Sequence, residues 1–166
     1  FKVSISENGN ILAVSGLSAN YENETSTFGV FLYELVNQQW EQIGDPIESL
    51  ENQLSYHGFA TSLSSDGSVL AIGAPWHGGG DPDQEGYVKI YSHQNGEISL
   101  IGQINGESDL SDLSGDNSDE LGWSLALSGD GSTLVAAAPG NKKVKIYNHD
   151  DGSWSQLGED INLESD

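Results

Sequence analysis

The stretch GFATSLSSDGSVLAIGAP (Gly58 to Pro75), continued by EGYVKIY (Glu85 to Tyr91) and ISLIGQI (Ile98 to Ile104), has a counterpart on each side of it. Upstream stand VSISENGNILAVSG from Val3, FGVFLYEL from Phe28 and WEQIGDPI from Trp40. Downstream stand LGWSLALSGDGSTLVAAAP from Leu121, KVKIY from Lys143 and WSQLGEDI from Trp154. The turn glycines Gly9, Gly67 and Gly131 lie 58 and 64 residues apart, and the tyrosines Tyr33, Tyr91 and Tyr147 lie 58 and 56 apart. Spacing varies where loops intervene and holds where apolar runs lie. A period above about 50 residues points to a propeller blade or a large solenoid repeat.

Within each copy the pattern is that of short antiparallel strands. FKVSIS alternates, placing Phe1, Val3 and Ile5 on one face, and ENGN turns the chain into ILAVSG. In the second copy Ser65-Asp66-Gly67-Ser68 makes the same turn. Asp accepts local backbone hydrogen bonds there, and Gly takes positive φ without a Cβ penalty. VLAIGA is apolar on both faces, as an inner strand would be. The fourth strands begin at Trp40, Ile98 and Trp154, and Pro46 confines the first of them to a sheet edge. We expect an all-β chain of about three four-stranded blades, with units at 1–57, 58–120 and 121–166. Closed propellers take four to eight blades. The chain is therefore expected to belong to a larger or assembled propeller, with further blades from the same longer chain or from another copy. The start at Phe1 and the connector-like NLESD ending favour a longer array.

Composition restricts the partners. Twenty-six acidic residues face five basic ones, all lysine, for a formal charge of -21. Such a surface repels nucleic acid and anionic bilayers. Lys142, Lys143 and Lys145 read as a solvated edge. Cysteine and methionine are absent, so there is no disulfide framework and no thiolate metal site. No apolar run is long enough to insert in a membrane.

Site candidates lie in the loops. Trp76 is a candidate recognition aromatic for a protein or glycan ligand, Asn23 in Asn23-Glu24-Thr25 is a candidate glycosylation site, and the triple glycine 78–80 lacks the Lys-Ser/Thr of a phosphate loop. Asp109, Asp112, Asp116, Asp119 and Glu120 offer five carboxylates within twelve residues, and Asp81, Asp83 and Glu85 form a smaller cluster. Ca²⁺ takes six to eight oxygen ligands, so both clusters are candidate calcium sites.

GFATSLSSDGSVLAIGAP, LGWSLALSGDGSTLVAAAP and the WxQxGxxI endings from Trp40 and Trp154 resemble FG-GAP-type repeats. Those repeats build the propeller of the integrin alpha head and of many exported microbial and algal surface proteins. The resemblance covers nearly the whole chain and implies a β-propeller at the cell surface or outside the cell. The DxDxDG calcium turn of that family has no match here, since each corresponding turn carries at most one Asp. The expected function is a non-enzymatic extracellular structural or adhesion module. The alternatives are a carbohydrate- or protein-binding propeller and a hydrolase-like propeller enzyme. Against the enzyme stands the lack of any two carboxylates fixed by spacing.

Overall fold

Each repeat folds into one antiparallel sheet whose strands lie side by side in chain order. The first holds β1 (Val3–Ile5), β2 (Ile11–Asn20), β3 (Thr25–Val36) and β4 (Gln39–Glu48). The second holds β5 (Ala60–Leu63), β6 (Val69–Ala74), β7 (Tyr87–Gln94) and β8 (Glu97–Asn105). The third holds β9 (Ser124–Leu127), β10 (Thr133–Ala138), β11 (Lys143–Asp150) and β12 (Ser153–Gln156), with β13 (Ile161–Asn162) also paired to β11. This computed structural model describes residues 2–20, 25–48, 56–75, 85–107 and 119–163, except for the side chains of 17–20 and 25–27. Among the described residues no helix is long and apolar enough to cross a membrane.

The turn after each first strand is one structure built three times. Ser64 Oγ donates to Asp66 Oδ1 at 2.8 Å and accepts the Val69 N–H at 2.9 Å, while Asp66 also accepts the Ser68 N–H. Ser128, Asp130, Ser132 and Thr133 repeat these bonds, and Ser6, Asn8, Asn10 and Ile11 make the same set with a neutral amide. The short side chains thus close the turn on themselves. Gly9, Gly67 and Gly131 supply the positive φ. Between third and fourth strands the chain reverses through two residues with φ above zero: Asn37-Gln38, Asn95-Gly96 and Asp151-Gly152. That is the backbone of the type I′ hairpin, whose twist matches the flanking strands.

The glycine of the WxQxG ending marks a break in the fourth strand. Pairing slips between Val30 and Leu32 in the first blade and between Ile90 and Tyr91 in the second. In the third, pairing passes from Tyr147↔Gln156 to Val144↔Ile161. Such bulges bend and twist the edge strand. Pro46 sits inside the first bulge on an edge strand, where a missing N–H costs no ladder bond.

The sheets stack face to face as consecutive blades, with β1 against β5 and β5 against β9, and they form an open arc. Ile11, Ala13, Val30 and Leu32 of the first blade meet Leu70 and Ile72 of the second, with Leu63, Tyr91 and Ile98 packed around them. Ala71, Val88 and Ile90 on the other face of the second blade meet Leu134, Ala136 and Tyr147 of the third. The middle sheet is therefore buried on both faces, which is why VLAIGA is apolar at every position. Blades approach closely through glycine. A Cβ on Gly67 would stand 2.6 Å from the Ile11 side chain, and one on Gly131 would stand 2.7 Å from Val69. Along the fourth strands Ile98 lies over Gly44 and Trp154 over Gly102. Backbone bonds join the turns, Glu7 N–H to Ser65 O at 2.9 Å and Ser65 N–H to Gly129 O at 2.8 Å. Leu127 N–H also donates to Ser62 Oγ.

Two glycines separate backbone cost from packing cost. Gly67 and Gly152 both hold positive φ, but among the described residues nothing lies within 4 Å of a Cβ on Gly152. Gly152→Ala is expected to cost about 1 kcal/mol for the left-handed backbone. Gly67→Ala adds overpacking of the joint and is expected to cost about 2–4 kcal/mol in all. Urea unfolding of the two variants checks this difference, and equal losses would contradict it.

Candidate functional site

All three first strands run the same way, so their closed turns gather at one end of the arc and their starts at the other. At the starting end Phe59 and Trp123, which immediately precede β5 and β9, place their rings 5.0 Å apart at 55°. The Lys2 ammonium, before β1, lies 5.4 Å from the centre of the Phe59 ring. Lys2 is held by an exchange with Ser15, whose Oγ accepts the Lys2 N–H and whose own N–H donates to the Lys2 carbonyl. Phe28 and Tyr56 stack at 5.4 Å, and the Tyr56 carbonyl accepts the Phe59 N–H. Trp123 keeps 38% of its surface exposed. A cation over an aromatic face with a second ring beside it forms an apolar, flat-sided surface carrying one positive charge, on a chain of net charge -21. Strands β6 and β7 open onto this same end at Ala74 and Tyr87, as do β8 at Asn105 and β9 at Ser124. The segments between these strand ends hold the acidic residues singled out above.

Of those residues, Asp119, Glu120 and Glu85 are described. Asp81, Asp83, Asp109, Asp112, Asp116, Trp76 and Asn23 lie outside the described residues. Asp119 is 1% exposed, and its two oxygens accept the Leu121 N–H at 3.0 Å and the Glu107 N–H at 2.8 Å. It fastens the end of the second blade to the start of the third, and a Cβ on Gly106 would collide with its carboxylate. Burial raises its pKa, with the two amide bonds and the Lys145 charge opposing. Glu120 takes φ of 56° in the step from that anchor into the third blade. Among the described residues no group of three or more His, Cys, Asp and Glu is placed to hold a metal ion.

Of the three lysines expected on a solvated edge, Lys142 is exposed, while Lys143 and Lys145 depart from it. Lys145 is 2% exposed, with Nζ 2.9 Å from Glu107 Oε1, and Lys143 Nζ stands 3.0 Å from Asp160. Strand alternation carries the reason: Lys145 shares the inward face of β11 with Tyr147, and only a carboxylate from the preceding blade makes a charge tolerable there. Desolvation together with Asp119, Glu107 and Asp160 pushes the Tyr147 hydroxyl up to about 12. Sequence spacing gave no sign of this cluster, because Glu107 and Lys145 belong to different repeats.

At the turn end the carboxylates do structural work. Hydrogen bonds from Ser128 and from the Ser132 N–H and hydroxyl hold Asp130 at about 2, below the ordinary 3.8, and bonds from Ser68 and Ser64 lower Asp66 in the same way. A depressed carboxylate stabilises the fold above its unfolded pKa, and that contribution is lost as pH falls through the folded value. The pH window is therefore about 4 down to about 2. Asn8 fills the same place in the first turn without charge. Asp66→Asn/Asp130→Asn is accordingly expected to fold and to lose less melting temperature than the parent protein over that window. Parallel curves would remove the turns from the acid response.

No protein-family model matches the chain, and no curated protein matches it. Solved structures do. A Bacteroides uniformis protein with a provisional 6-phosphogluconolactonase description aligns over 98% of this chain and 40% of its own, at 16% identity and a TM-score of 0.62. The periplasmic gluconolactonase of Pseudomonas aeruginosa aligns over 88% and 38%, at 18% identity and 0.56. The β-propeller domain of the Pyrococcus furiosus trilobed protease aligns over 93% and 40%, at 12% identity and 0.51. The chain thus spans about two fifths of each of these proteins. At such identities the likeness is one of fold, and three four-stranded antiparallel sheets are consistent with part of a larger β-propeller.

These neighbours correct two expectations. The chain aligns with lactonase- and protease-type propellers and matches no family model, so membership of the FG-GAP, integrin-alpha repeat family is overturned. The physical reason lies in the shared motif: the turn glycine, the apolar second strand and the bulge glycine are what the joints between blades require, whatever the family. The non-enzymatic structural or adhesion module is overturned with it, since the solved neighbours include enzyme-type propellers. Carboxylate spacing along the chain, the ground against an enzyme, does not report which residues converge at the end of an arc.

Proposed function

We propose that this chain contributes three blades to a hydrolase-type propeller acting on a carbohydrate-derived ester such as an aldonolactone, outside the cytoplasm. The observation that carries the reading is the Lys2–Phe59–Trp123 cluster at the starting end of the first strands, on a fold shared with gluconolactonase-type propellers. Sugar rings present C–H faces that pack on aromatic rings, and an ammonium beside them attracts a lactone carbonyl or the carboxylate formed from it. In this reading Phe59 and Trp123 seat the ring, Lys2 orients the acyl group, and Glu85 and Glu120 are the described carboxylates from which a general base is drawn. Further blades complete the propeller around that end.

Aldonolactone hydrolysis followed in a pH-stat tests the reading. Turnover above the spontaneous rate is expected, with Trp123→Ala lowering kcat/KM about 10- to 100-fold, the loss of roughly 1.4–2.8 kcal/mol of binding. No turnover with any lactone would overturn it, and saturable binding without turnover would instead assign the same cluster to a carbohydrate-binding propeller.

Calcium belongs to the proposal through two clusters, Asp81, Asp83 and Glu85 in one and Asp109, Asp112, Asp116 and Glu120 in the other; both oxygens of Asp119, the fifth carboxylate of the second, are engaged by backbone N–H groups. Millimolar Ca²⁺ is expected to raise the melting temperature over chelator at matched ionic strength, through selective binding to the folded state. Superimposable melting curves would discard the ion.

A further inference from the structure

Trp123 reaches the Phe59 ring because residues 119–122 lie sunk across the starting end of the second blade. Three strand ends there carry glycine: Gly106 follows β8, Gly86 precedes β7 and Gly73 lies in β6. A Cβ on Gly106 would run into the Asp119 carboxylate, and one on Gly73 would run into the Gly122 carbonyl oxygen. One on Gly86 would stand 2.5 Å from the Leu121 nitrogen. The segment thus crosses β8, β7 and β6 in turn, with a glycine beneath each step, and delivers Trp123 to the start of β9. We propose that these three glycines form a trough that positions Trp123, and that the trough thereby sets the two-ring platform on which a ligand ring settles. The use of the platform as a substrate seat rests on the proposed lactonase activity, whereas the trough itself does not.

The first joint shows what the same segment does without glycines. Tyr56 and Glu120 open the corresponding steps with φ of 46° and 56°, and Gly58 and Gly122 end them at 87° and 98°. Beneath the first step lie Phe28 and Ser15, in the places of Gly86 and Gly73. Phe28 stacks on Tyr56 at 5.4 Å, and a Cβ on Gly58 would stand 2.8 Å from that of Ser15. Side chains therefore hold the first segment off its blade, while the second rests backbone on backbone. Gly73 serves both rings. Its carbonyl accepts the Gly58 and Phe59 N–H groups, each at 3.1 Å, and its α carbon is the surface against which Gly122 rests. Bonds at each end keep the segment down. Asp119 accepts the Glu107 and Leu121 N–H groups, Leu121 is fully buried, and Gly122 N–H donates to Ala137 O at 3.1 Å. Gly106 N–H donates to Gly86 O at 2.7 Å and so joins two steps of the trough. A platform fixed in this way loses little freedom when a ligand settles on it, and a misplacement of about 1 Å is enough to cost about 100-fold in rate.

Fluorine NMR of the chain carrying 5-fluorotryptophan tests the proposal, with the Trp123 resonance assigned by Trp123→Phe. Phe59→Leu gives the share of that resonance's shift that the Phe59 ring current supplies. Gly86→Ala and Gly73→Ala are each expected to remove at least half of that share with unchanged far-ultraviolet circular dichroism. The Trp154 resonance, from farther out on the same joint, is expected to stay in place. Spectra are taken in 1 M trimethylamine N-oxide, which favours the folded state. Should a glycine variant not fold, Asp119→Asn, which overpacks nothing, is expected to move the Trp123 resonance in the same direction. A Trp123 resonance unmoved in the folded variants, or a Trp154 resonance that moves as far, would overturn the proposal. On an aldonolactone, Gly73→Ala should raise KM about tenfold with kcat within about twofold, since Gly73 meets Gly122 and the Phe59 backbone and none of the carboxylates. A fall in kcat with KM unchanged would overturn the platform's role as a seat. No turnover by the parent chain would overturn the lactonase reading alone, and the Trp123 resonance would still decide the trough.

Discussion

Close approach of neighbouring sheets at glycine is the constraint on which the rest of this structure depends. A blade is a small sheet with two apolar faces, and such sheets lack stability until both faces are covered. The covering works only if side chains of one blade sink into positions where the next has none. Ile11 over Gly67 and Val69 over Gly131 do this at the turns, and Ile98 over Gly44 and Trp154 over Gly102 do it along the outer strands. The same glycines take positive φ at Gly67, Gly131 and Gly44, so backbone shape and packing impose the same residue. That double demand keeps the repeat visible while the loops between its strands differ in length and composition.

A joint built this way leaves polar groups to be satisfied locally. The Ser–Asp/Asn–Gly turns consume their own side chains, which is why three acidic or amide positions near the arc's inner edge serve as turn braces. At the other end the connector between second and third blades is tied down by Asp119 and by the Glu107–Lys145 pair. Burying that lysine costs several kcal/mol of desolvation that its carboxylate partner offsets. Asp119 is itself opposed by burial, and since its raised pKa favours proton uptake by the folded state, this group's cost to stability at neutral pH eases as pH falls. The starting end of the first strands is thus held by directional bonds as well as by packing, a footing suited to a site whose side chains must stay in place.

Much of the architecture was legible in the letters because it depends on periods and on glycine. The alternation of FKVSIS, the double-faced VLAIGA and the SxDG turns each report a local backbone state, and each appears as a strand or turn at the place expected. Side-chain meetings across repeats were not legible. Lys145 read as a solvated lysine because its burial is decided by Glu107 in the preceding blade. Phe59 and Trp123 occupy corresponding places in their repeats, yet only the stacking of blades brings their rings to 5.0 Å. The family resemblance failed for a related reason, as it drew on the residues every joint needs, and such residues report fold and not function.

The central claim is that the joints make the three blades one cooperative unit. Amide hydrogen exchange at Ser65 and Leu127 tests it most directly, because both N–H groups bond across joints, to Gly129 O and Ser62 Oγ. The account predicts protection of these two amides equal to that of Leu70 and Ile72 within the middle blade, all opening with the free energy of global unfolding. Fast exchange at Ser65 and Leu127 beneath a protected middle sheet would mean that the blades open independently, and would contradict it.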